Sequence, residues 1–454
     1  MKNFYKLFLT VVILLSSIKI MYAQTNSIVR DAKISEMIKE ISAANLENNV
    51  RKMVSFGTRH TLSTRGDKEK GIGAACNWVK SEFEKFAKES NGRLEVKLDS
   101  LTLEPDGRRL VRKVLLTNVM ATLKGTDIND KRIFIVSGHL DSRNSEANDS
   151  TGTAPGANDD ASGVSAVLEL ARVMSKHSFP STIIFVAVSG EEQGLYGSTF
   201  LAKKAKEQNW EVVAMLNNDM ISNSHSSETN LNDNMQVRVF SEGIPLLETD
   251  EMRKIRQSTN AENDGSSRQL ARYIKEVGER YVDQLEVKLV YRNDRFLRGG
   301  DHTPFNREGF TAVRFCEMNE NYDHQHQNIR EEKGIKYGDL PEFQDFEYAR
   351  KITSANLAVL ANLSSAPQAP QNVGVVVSGM TNSTTLKWKT PQGKAPHGYF
   401  ILMRETYQPV WEKKFFTDKT EITLPYSKDN YFFAVQSVDE EGHESLPVWP
   451  VPVR

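Results

Sequence analysis

Histidine and carboxylate side chains recur in a few short polar stretches of this 454-residue chain. The stretches SGHLDS, PGANDDASG, SGEEQGLYGS and LNNDMIS supply His139, Asp141, Asp159, Glu191, Glu192 and Asp219. Imidazole nitrogen and carboxylate oxygen are ligands that Zn²⁺ accepts. Two such ions about 3.5–4 Å apart polarise a carbonyl and lower the pKa of a water molecule. This set of residue types therefore predicts metal-assisted hydrolysis of an amide bond.

The adjacent pair Glu191 and Glu192 fits that chemistry. In isolation the pair could mark a helix start, because acidic side chains suit the first turn of a helix. Two neighbouring carboxylates can also divide the work, one binding a metal while the other moves a proton. A dication beside one of them would offset their mutual repulsion.

Three apolar runs position these polar residues: RIFIVSGHLDS, STIIFVAVSGEE and EVVAMLNNDMIS. Amphipathic stretches such as ASGVSAVLELARVMSKH and STFLAKKAKEQ separate the runs and are typical of helices. The alternation predicts an α/β fold with a mostly parallel, mixed central sheet and helices on both faces. Because sites in such folds form at the carboxyl ends of strands, the acids and the histidine should converge there.

Two later polar loops contain further histidines. GGDHTPF supplies Asp301 and His302, and ENYDHQHQN supplies Tyr322, His324 and His326. A histidine alone is more often a structural residue than a ligand. These lie among acids, amides and glycines, which is typical of a loop beside a site.

The combined motifs HLDS, PGANDDASG, GEEQGLYGS and NNDM, followed by a late Tyr/His loop, resemble the co-catalytic zinc aminopeptidases. That family includes bacterial leucyl aminopeptidases and, more distantly, glutamate carboxypeptidase and glutaminyl cyclase. The resemblance spans roughly residues 50–365 and implies two zinc ions per chain. It implies His139 and Asp219 as ligands of one zinc, Glu192 as a ligand of the other, Asp159 as the bridge, Glu191 as general base and acid, and Asp141 as the partner of His139.

The last metal ligand depends on the alignment of one loop. The family commonly has Tyr-His-Thr-x-x-Asp, where this chain has YDHQHQN. Spacing from the terminal polar residue favours His324 and puts Asn328 where the acid usually stands, with His326 as the alternative. The resemblance also implies Asp301 and His302 as residues of the pocket wall or as residues behind the metal ligands, and Tyr322 as a residue of the substrate pocket.

The resemblance implies a zinc exopeptidase that acts on peptides, with an aminopeptidase as the leading hypothesis. A carboxypeptidase of the same fold is an alternative and would need a cationic pocket, for which Arg295, Arg298 and Arg314 are candidates. A glutaminyl cyclase-like acyltransferase would use a single zinc, whereas both halves of a two-metal ligand set are present. A non-catalytic binding protein would have lost ligands, and none is clearly lost.

The N-terminal sequence predicts export. Lys2 and Lys6 precede the apolar stretch LFLTVVILLSSIKI, which ends near the small residue Ala23, so residues 1–23 form a predicted signal peptide. The mature protein would be periplasmic or extracellular, with no integral membrane segment. The net charge of -1 gives no reason to expect nucleic acid as a partner. The two cysteines, Cys76 and Cys316, could be bonded or could be buried thiols.

A linker, SSAPQAPQN at 364–372, ends the α/β pattern. Beyond it, short stretches such as TTLKWKT and GYFILMRE alternate apolar and polar residues, which predicts an immunoglobulin-like antiparallel β-sandwich. The order of its motifs resembles a fibronectin type III module. We therefore expect a signal peptide at 1–23, a zinc exopeptidase domain at 24–365 and the sandwich at 366–454, with no indication of a partner for the sandwich.

Overall fold

The computed structural model describes residues 30–454, so the predicted signal peptide lies outside the described residues. The chain forms two compact units, Arg30–Ala366 and Pro367–Arg454. No helix within residues 30–454 combines the length and the apolar character needed to cross a membrane.

The first unit is an α/β unit. Its helices are α1 (Ala32–Lys39), α2 (Ala43–Val54), α3 (Gly71–Glu89), α4 (Gly163–Met174), α5 (Tyr196–Glu207), α6 (Asp250–Thr259), α7 (Ser266–Tyr281), α8 (His302–Arg307) and α9 (Phe346–Ser365). Its strands are β1 (Leu94–Leu103), β2 (Val114–Leu123), β3 (Arg132–His139), β4 (Thr182–Val188), β5 (Glu211–Asn218), β6 (Gln236–Ser241), β7 (Glu286–Val290) and β8 (Ala312–Glu317), followed by the short hairpin β9 (Arg330–Glu332) and β10 (Ile335–Tyr337).

Strands β1 to β8 form one sheet in the order β1-β2-β4-β3-β5-β8-β6-β7. The central strands β4, β3, β5 and β8 run parallel. Antiparallel pairs flank them, β1 with β2 and β2 with β4 on one side, and β6 with β8 on the other. The predicted mixed α/β sheet is therefore confirmed, with more antiparallel pairing than the apolar runs indicated.

Three adjacent strands end where the polar motifs begin. Strand β3 ends at His139, β4 ends just before Ser189, and β5 ends just before Asp219. Because β3 lies between β4 and β5, their carboxyl ends form one continuous stretch of the sheet edge. Gly138 allows the start of α4 to approach, since a Cβ there would lie 2.5 Å from the carbonyl carbon of Gly163.

The N-terminal stretch of the described chain is helical. It divides into α1 and α2, and the Ser42 side chain accepts a hydrogen bond from the Asn45 N–H to begin α2. A serine that caps a helix in this way starts a new helix and does not continue the preceding one.

The second unit contains two sheets that enclose a common apolar core. Its strands are β11 (Gln371–Val376), β12 (Thr384–Lys389), β13 (Gly398–Glu405), β14 (Lys413–Thr417), β15 (Glu421–Leu424), β16 (Tyr431–Val438) and β17 (Val451–Val453). The sheet orders are β15-β12-β11-β17 and β14-β13-β16. Leu386 and Trp388 of one sheet pack with Ile401 and Val435 of the other. The unit is all-β, as expected, and its assignment to fibronectin type III stays a prediction.

Candidate metal centre

Four predicted ligands and His326, the alternative to His324, converge at the sheet edge as two overlapping groups of donor atoms. In the first group, His139 Nε2 lies 2.9 Å from Asp159 Oδ1 and 3.9 Å from Asp219 Oδ1. In the second, His326 Nε2 lies 2.9 Å from Asp159 Oδ2 and 3.0 Å from Glu192 Oε1. Within each group the candidate ligand atoms lie within 4.8 Å of one another. Asp159 belongs to both groups and contributes one oxygen to each.

This donor set fits two zinc ions. Each group offers one imidazole nitrogen and two carboxylates, which are usual zinc ligands, and the shared Asp159 can bridge. The His139 ring is also oriented for binding, because Nδ1 lies 3.0 Å from the backbone oxygen of Asp141. Donation from Nδ1 leaves the Nε2 lone pair facing the carboxylates. Several buried carboxylates in one place repel each other, and divalent cations would offset that repulsion.

Asp159 is held by an irregular turn at Ala157–Ser162, in which Asp159 and Asp160 have non-helical backbone angles and their peptide bond is cis. The carboxylate of Asp339 accepts hydrogen bonds from the N–H groups of Asn158 and Asp159, each at 2.8 Å. The Asp160 carboxylate accepts from the N–H of His139 at 2.8 Å and therefore ties the turn to the end of β3. Sequence reasoning missed Asp339, because it lies far along the chain in no recognisable motif.

Asp141 lies between His139 and the loop of the two glutamates. Its carboxylate lies 3.8 Å from the His139 ring, which contacts the Asp141 backbone oxygen instead. The carboxylate accepts the N–H groups of Gly190, Glu191 and Glu192 at 2.8, 3.2 and 3.1 Å. Asp141 thus fixes the backbone of the two glutamates through three converging N–H donors.

Glu191 lines a cavity of about 300 Å³ together with Asp159, Glu192, Asp219 and His326. Burial raises the pKa of the Glu191 carboxyl well above its usual range, and the nearby carboxylates of Asp219 and Glu192 raise it further, against the opposing effect of His139. A carboxyl group with a raised pKa can accept and return a proton near neutral pH.

The preference for His324 as the last ligand is not supported by the geometry, which brings His326 to the cluster. The His324 ring stacks on Phe343 with ring centroids 4.0 Å apart and lines a different cavity. The loop coils as a turn here, with the N–H groups of His324 and Gln325 donating to the Asn321 oxygen, and His326 has a left-handed backbone with φ of 56°. Residues two positions apart in such a turn point in different directions, which spacing alone does not reveal.

Asp301, His302 and Tyr322 are not among the described residues that line the cavity, although Asp301 lies close enough to Glu191 to raise the pKa of that carboxyl. Asp301 and His302 are buried, and Asp301 accepts a hydrogen bond from the Ser198 hydroxyl. His302 Nε2 lies 2.8 Å from the backbone oxygen of Asn293, and burial lowers the pKa of His302 to about 4. Tyr322 is 56% exposed.

Arginines form much of the remaining cavity wall. Arg295 and Arg298, two of the three candidates for a cationic pocket, line it, and so do Arg109 and Arg143, which sequence reasoning missed. Arg314 is fully buried and pairs with Asp219 at 2.8 Å. Arg109 lies in a loop without a motif and Arg143 directly follows the stretch SGHLDS, so only the folded chain identifies them as cavity residues. The two cysteines are buried and unbonded.

Comparison with known sequences gives a consistent result. The profile of Peptidase family M28 matches residues 118–346. A probable zinc metalloprotease of Leptosphaeria maculans is 43% identical over 423 residues, which cover 93% of this chain and 97% of the relative. A probable zinc metalloprotease of Pyricularia oryzae is 41% identical over 429 residues, covering 93% and 85% of the two chains.

Solved structures with this fold include two aminopeptidases. The LapA aminopeptidase of Legionella pneumophila superposes with a TM-score of 0.53 and 20% identity, over 77% of this chain and 78% of that chain. The aminopeptidase of Aneurinibacillus sp. strain AM-1 gives a TM-score of 0.50 and 15% identity, over 72% and 95% of the two chains. At these identities the likeness establishes the fold.

Proposed function

The chain belongs to peptidase family M28, and we propose that it is an exported two-zinc aminopeptidase that removes N-terminal residues from peptides. The observation that carries the proposal is the pair of donor groups that share Asp159 in one cavity with Glu191. One group alone could be a structural zinc site or a network of hydrogen bonds. Two groups with a common carboxylate and a neighbouring uncoordinated glutamate match the requirements of two-metal hydrolysis.

The side chains divide the reaction between them. When bound, two zinc ions polarise the scissile carbonyl and lower the pKa of water at the site. Glu191 takes the proton from the attacking water and returns it to the leaving amine. Asp141 holds the Glu191 backbone in place through its hydrogen bonds to the N–H groups of the loop. Each of these tasks belongs to a residue in direct contact with the cavity or with the loop that lines it.

The cavity favours a chain terminus over the middle of a polypeptide. Its volume of about 300 Å³ is at the lower end for ligand pockets. The carboxylates of Asp159, Glu191, Glu192 and Asp219 give it an acidic side that suits a protonated α-amino group. A carboxypeptidase is the second candidate, because Arg295 and Arg298 line the same cavity and could receive a C-terminal carboxylate. The cyclase alternative requires one zinc and is disfavoured by two complete donor groups.

A peptide panel with the zinc-loaded protein tests the proposal. Peptides with a free N-terminus should be hydrolysed one residue at a time, and the same peptides acetylated at the N-terminus should be inert. Metal analysis should give two zinc ions per chain. Cleavage of acetylated peptides from the C-terminus would replace the aminopeptidase with the carboxypeptidase, and one zinc with cyclisation of N-terminal glutamine would replace it with the cyclase. N-terminal sequencing of the secreted protein should begin after Ala23 if export proceeds as proposed.

A further inference from the structure

The same cavity lacks the apolar side chains that would bind a hydrocarbon group. Its described lining consists of carboxylates, His326, Gln325, Gly299 and four arginines, with no aliphatic or aromatic hydrocarbon side chain among them. From this lining we propose that the cavity binds a carboxylate of the substrate, so that the enzyme prefers substrates with a negative charge near the scissile bond. This inference rests on the proposed function and adds its substrate class.

Two of the arginines are incompletely neutralised by their surroundings. Arg295 and Arg298 both donate to one oxygen of Glu320, at 3.0 and 2.9 Å. Arg238 donates to the other oxygen of Glu320 at 2.8 Å, so one carboxylate serves three guanidinium groups. Asp294 contributes a second carboxylate, 3.1 Å from Arg295, but it also pairs with Arg314. Arg314 also pairs with Asp219 at 2.8 Å, so these four arginines share three carboxylates and the cluster keeps an excess of one positive charge.

The two other arginines have unused hydrogen-bonding capacity. Nη1 of Arg109 is buried without a hydrogen-bond acceptor. Nε of Arg143 makes no hydrogen bond but forms an ion pair with Oε2 of Glu192 at 3.4 Å. Nη2 of Arg143 lies 2.9 Å from Nδ1 of His326. A zinc ion bound at Nε2 of His326 would leave the ring proton on Nδ1, which could then no longer accept from Arg143. Arg143 would therefore present a further free donor to the cavity.

A substrate carboxylate would meet these requirements. Guanidinium groups present parallel N–H donors that match the two oxygens of a carboxylate, and such charge-assisted pairs are the stronger class of hydrogen bond. Buried donors without acceptors are costly, and a bound carboxylate would remove that cost. The carboxylate could come from an acidic side chain of the N-terminal residue or from the α-carboxylate of a short peptide. Both sources share the chemistry that the wall recognises.

Paired substrates separate the two sources. The zinc-loaded enzyme is assayed on glutamyl and glutaminyl aminocoumarin amides, which differ in a side-chain charge, and on Ala-Ala and its C-terminal amide, which differ in the α-carboxylate. We expect kcat/KM to favour the charged member of at least one pair by about tenfold to a hundredfold, as for one charge-assisted hydrogen bond gained or lost. A higher kcat/KM for the charged member of the first pair identifies the side chain as the source of the bound carboxylate. A higher kcat/KM for the charged member of the second pair identifies the α-carboxylate as that source. Equal rates, or a preference for the neutral member, in both pairs overturn the inference.

Variants of the cavity arginines test whether these residues cause the preference for a negatively charged substrate. Arg298→Gln and Arg109→Gln should each reduce the charged-to-neutral ratio of kcat/KM by about tenfold, mainly through KM. Arg253→Gln removes an exposed arginine on α6 that pairs with Asp250, and it serves as the matched control with an unchanged ratio. An unchanged ratio in both cavity variants would refute the role of the arginines. Inhibition by free glutamate, compared with inhibition by glutamine, measures binding of the side-chain carboxylate. Inhibition by glutamate should weaken in the same two cavity variants.

The outcomes also separate this inference from the function on which it rests. Hydrolysis of unblocked peptides without any preference for charge would leave the aminopeptidase in place and refute only the carboxylate site. No hydrolysis of any unblocked peptide, by a protein that holds two zinc ions, would refute the proposed function itself.

Discussion

Replacing Asp141 with asparagine tests how the two glutamates are positioned. One carboxylate oxygen, Oδ1, accepts the N–H groups of Gly190 and Glu191, and the other accepts the Glu192 N–H at 3.1 Å and the Thr61 hydroxyl at 3.0 Å. An asparagine of the same shape keeps only one acceptor oxygen. Its NH₂ group must face the donors on the other side, whichever way the amide is turned.

The expected losses of stability and of kcat follow from the number of acceptor oxygens that remain. With the amide oxygen facing Gly190 and Glu191, the Thr61 hydroxyl can rotate to accept from the new NH₂ group, but the N–H of Glu192 loses its acceptor. A donor left unsatisfied in this setting costs about 1–3 kcal/mol. The loop would relieve the conflict by moving, and a displacement of about 1 Å at a catalytic group costs about a hundredfold in rate. Asp141→Asn should therefore reduce both stability and kcat, although Asp141 does not contact the substrate.

Thermal unfolding and steady-state kinetics on the zinc-loaded protein measure both effects. Asp67→Asn is the matched control, because Asp67 also accepts two backbone N–H groups, from Glu69 and Lys70, but is exposed on the surface. The control should retain wild-type kcat. A fully active Asp141→Asn with an unchanged melting temperature would refute the reasoning, since the loop would then not depend on those hydrogen bonds.

Three further outcomes follow. His326→Ala should lower the zinc content measured by metal analysis, whereas His324→Ala should leave it at two, and the reverse result would restore the original alignment. Chelation should lower the melting temperature, and added zinc should restore it. At a free zinc concentration a thousandfold above Kd, binding should raise the free energy of unfolding by about 4 kcal/mol. An unchanged melting temperature would contradict a metal centre. Burial raises the pKa of Glu242 to about 7, so its contribution to stability is fully present below its unfolded pKa and is lost as pH rises through 7. Glu242→Gln should therefore be more stable than the wild type at pH 8, with the gain shrinking towards pH 5, and a gain that does not change with pH would refute the assignment.

The central strands and the chemistry at their ends were predictable from sequence, because buried parallel strands leave a strong local pattern. Runs such as STIIFVAV are almost entirely apolar, and their ends place His139, Glu192 and Asp219 at one edge. The outer strands β1 and β2 were not predicted. Strand β1 is largely exposed and contains charged residues, so its apolar alternation is weak.

The parts of the site that escaped prediction depend on long-range contacts or on turn geometry. Asp339 reaches back about 180 positions to hold the Asp159 turn, and nothing in its neighbourhood signals that contact. The choice between His324 and His326 is made by a turn whose path the spacing of residues does not encode. The carboxylate of Asp141 was assigned to the nearest histidine in sequence, whereas the folded chain also offers it three backbone donors from the loop after β4.

The zinc content and turnover of Glu191→Gln test the central claim most directly. The substitution keeps the size of the side chain and leaves both donor groups intact, since Glu191 belongs to neither. We predict two zinc ions per chain and a kcat reduced by about 10²–10⁴, the usual contribution of a general base. Glu192→Gln, on the adjacent residue, should lose zinc instead. Wild-type turnover by Glu191→Gln would contradict the account.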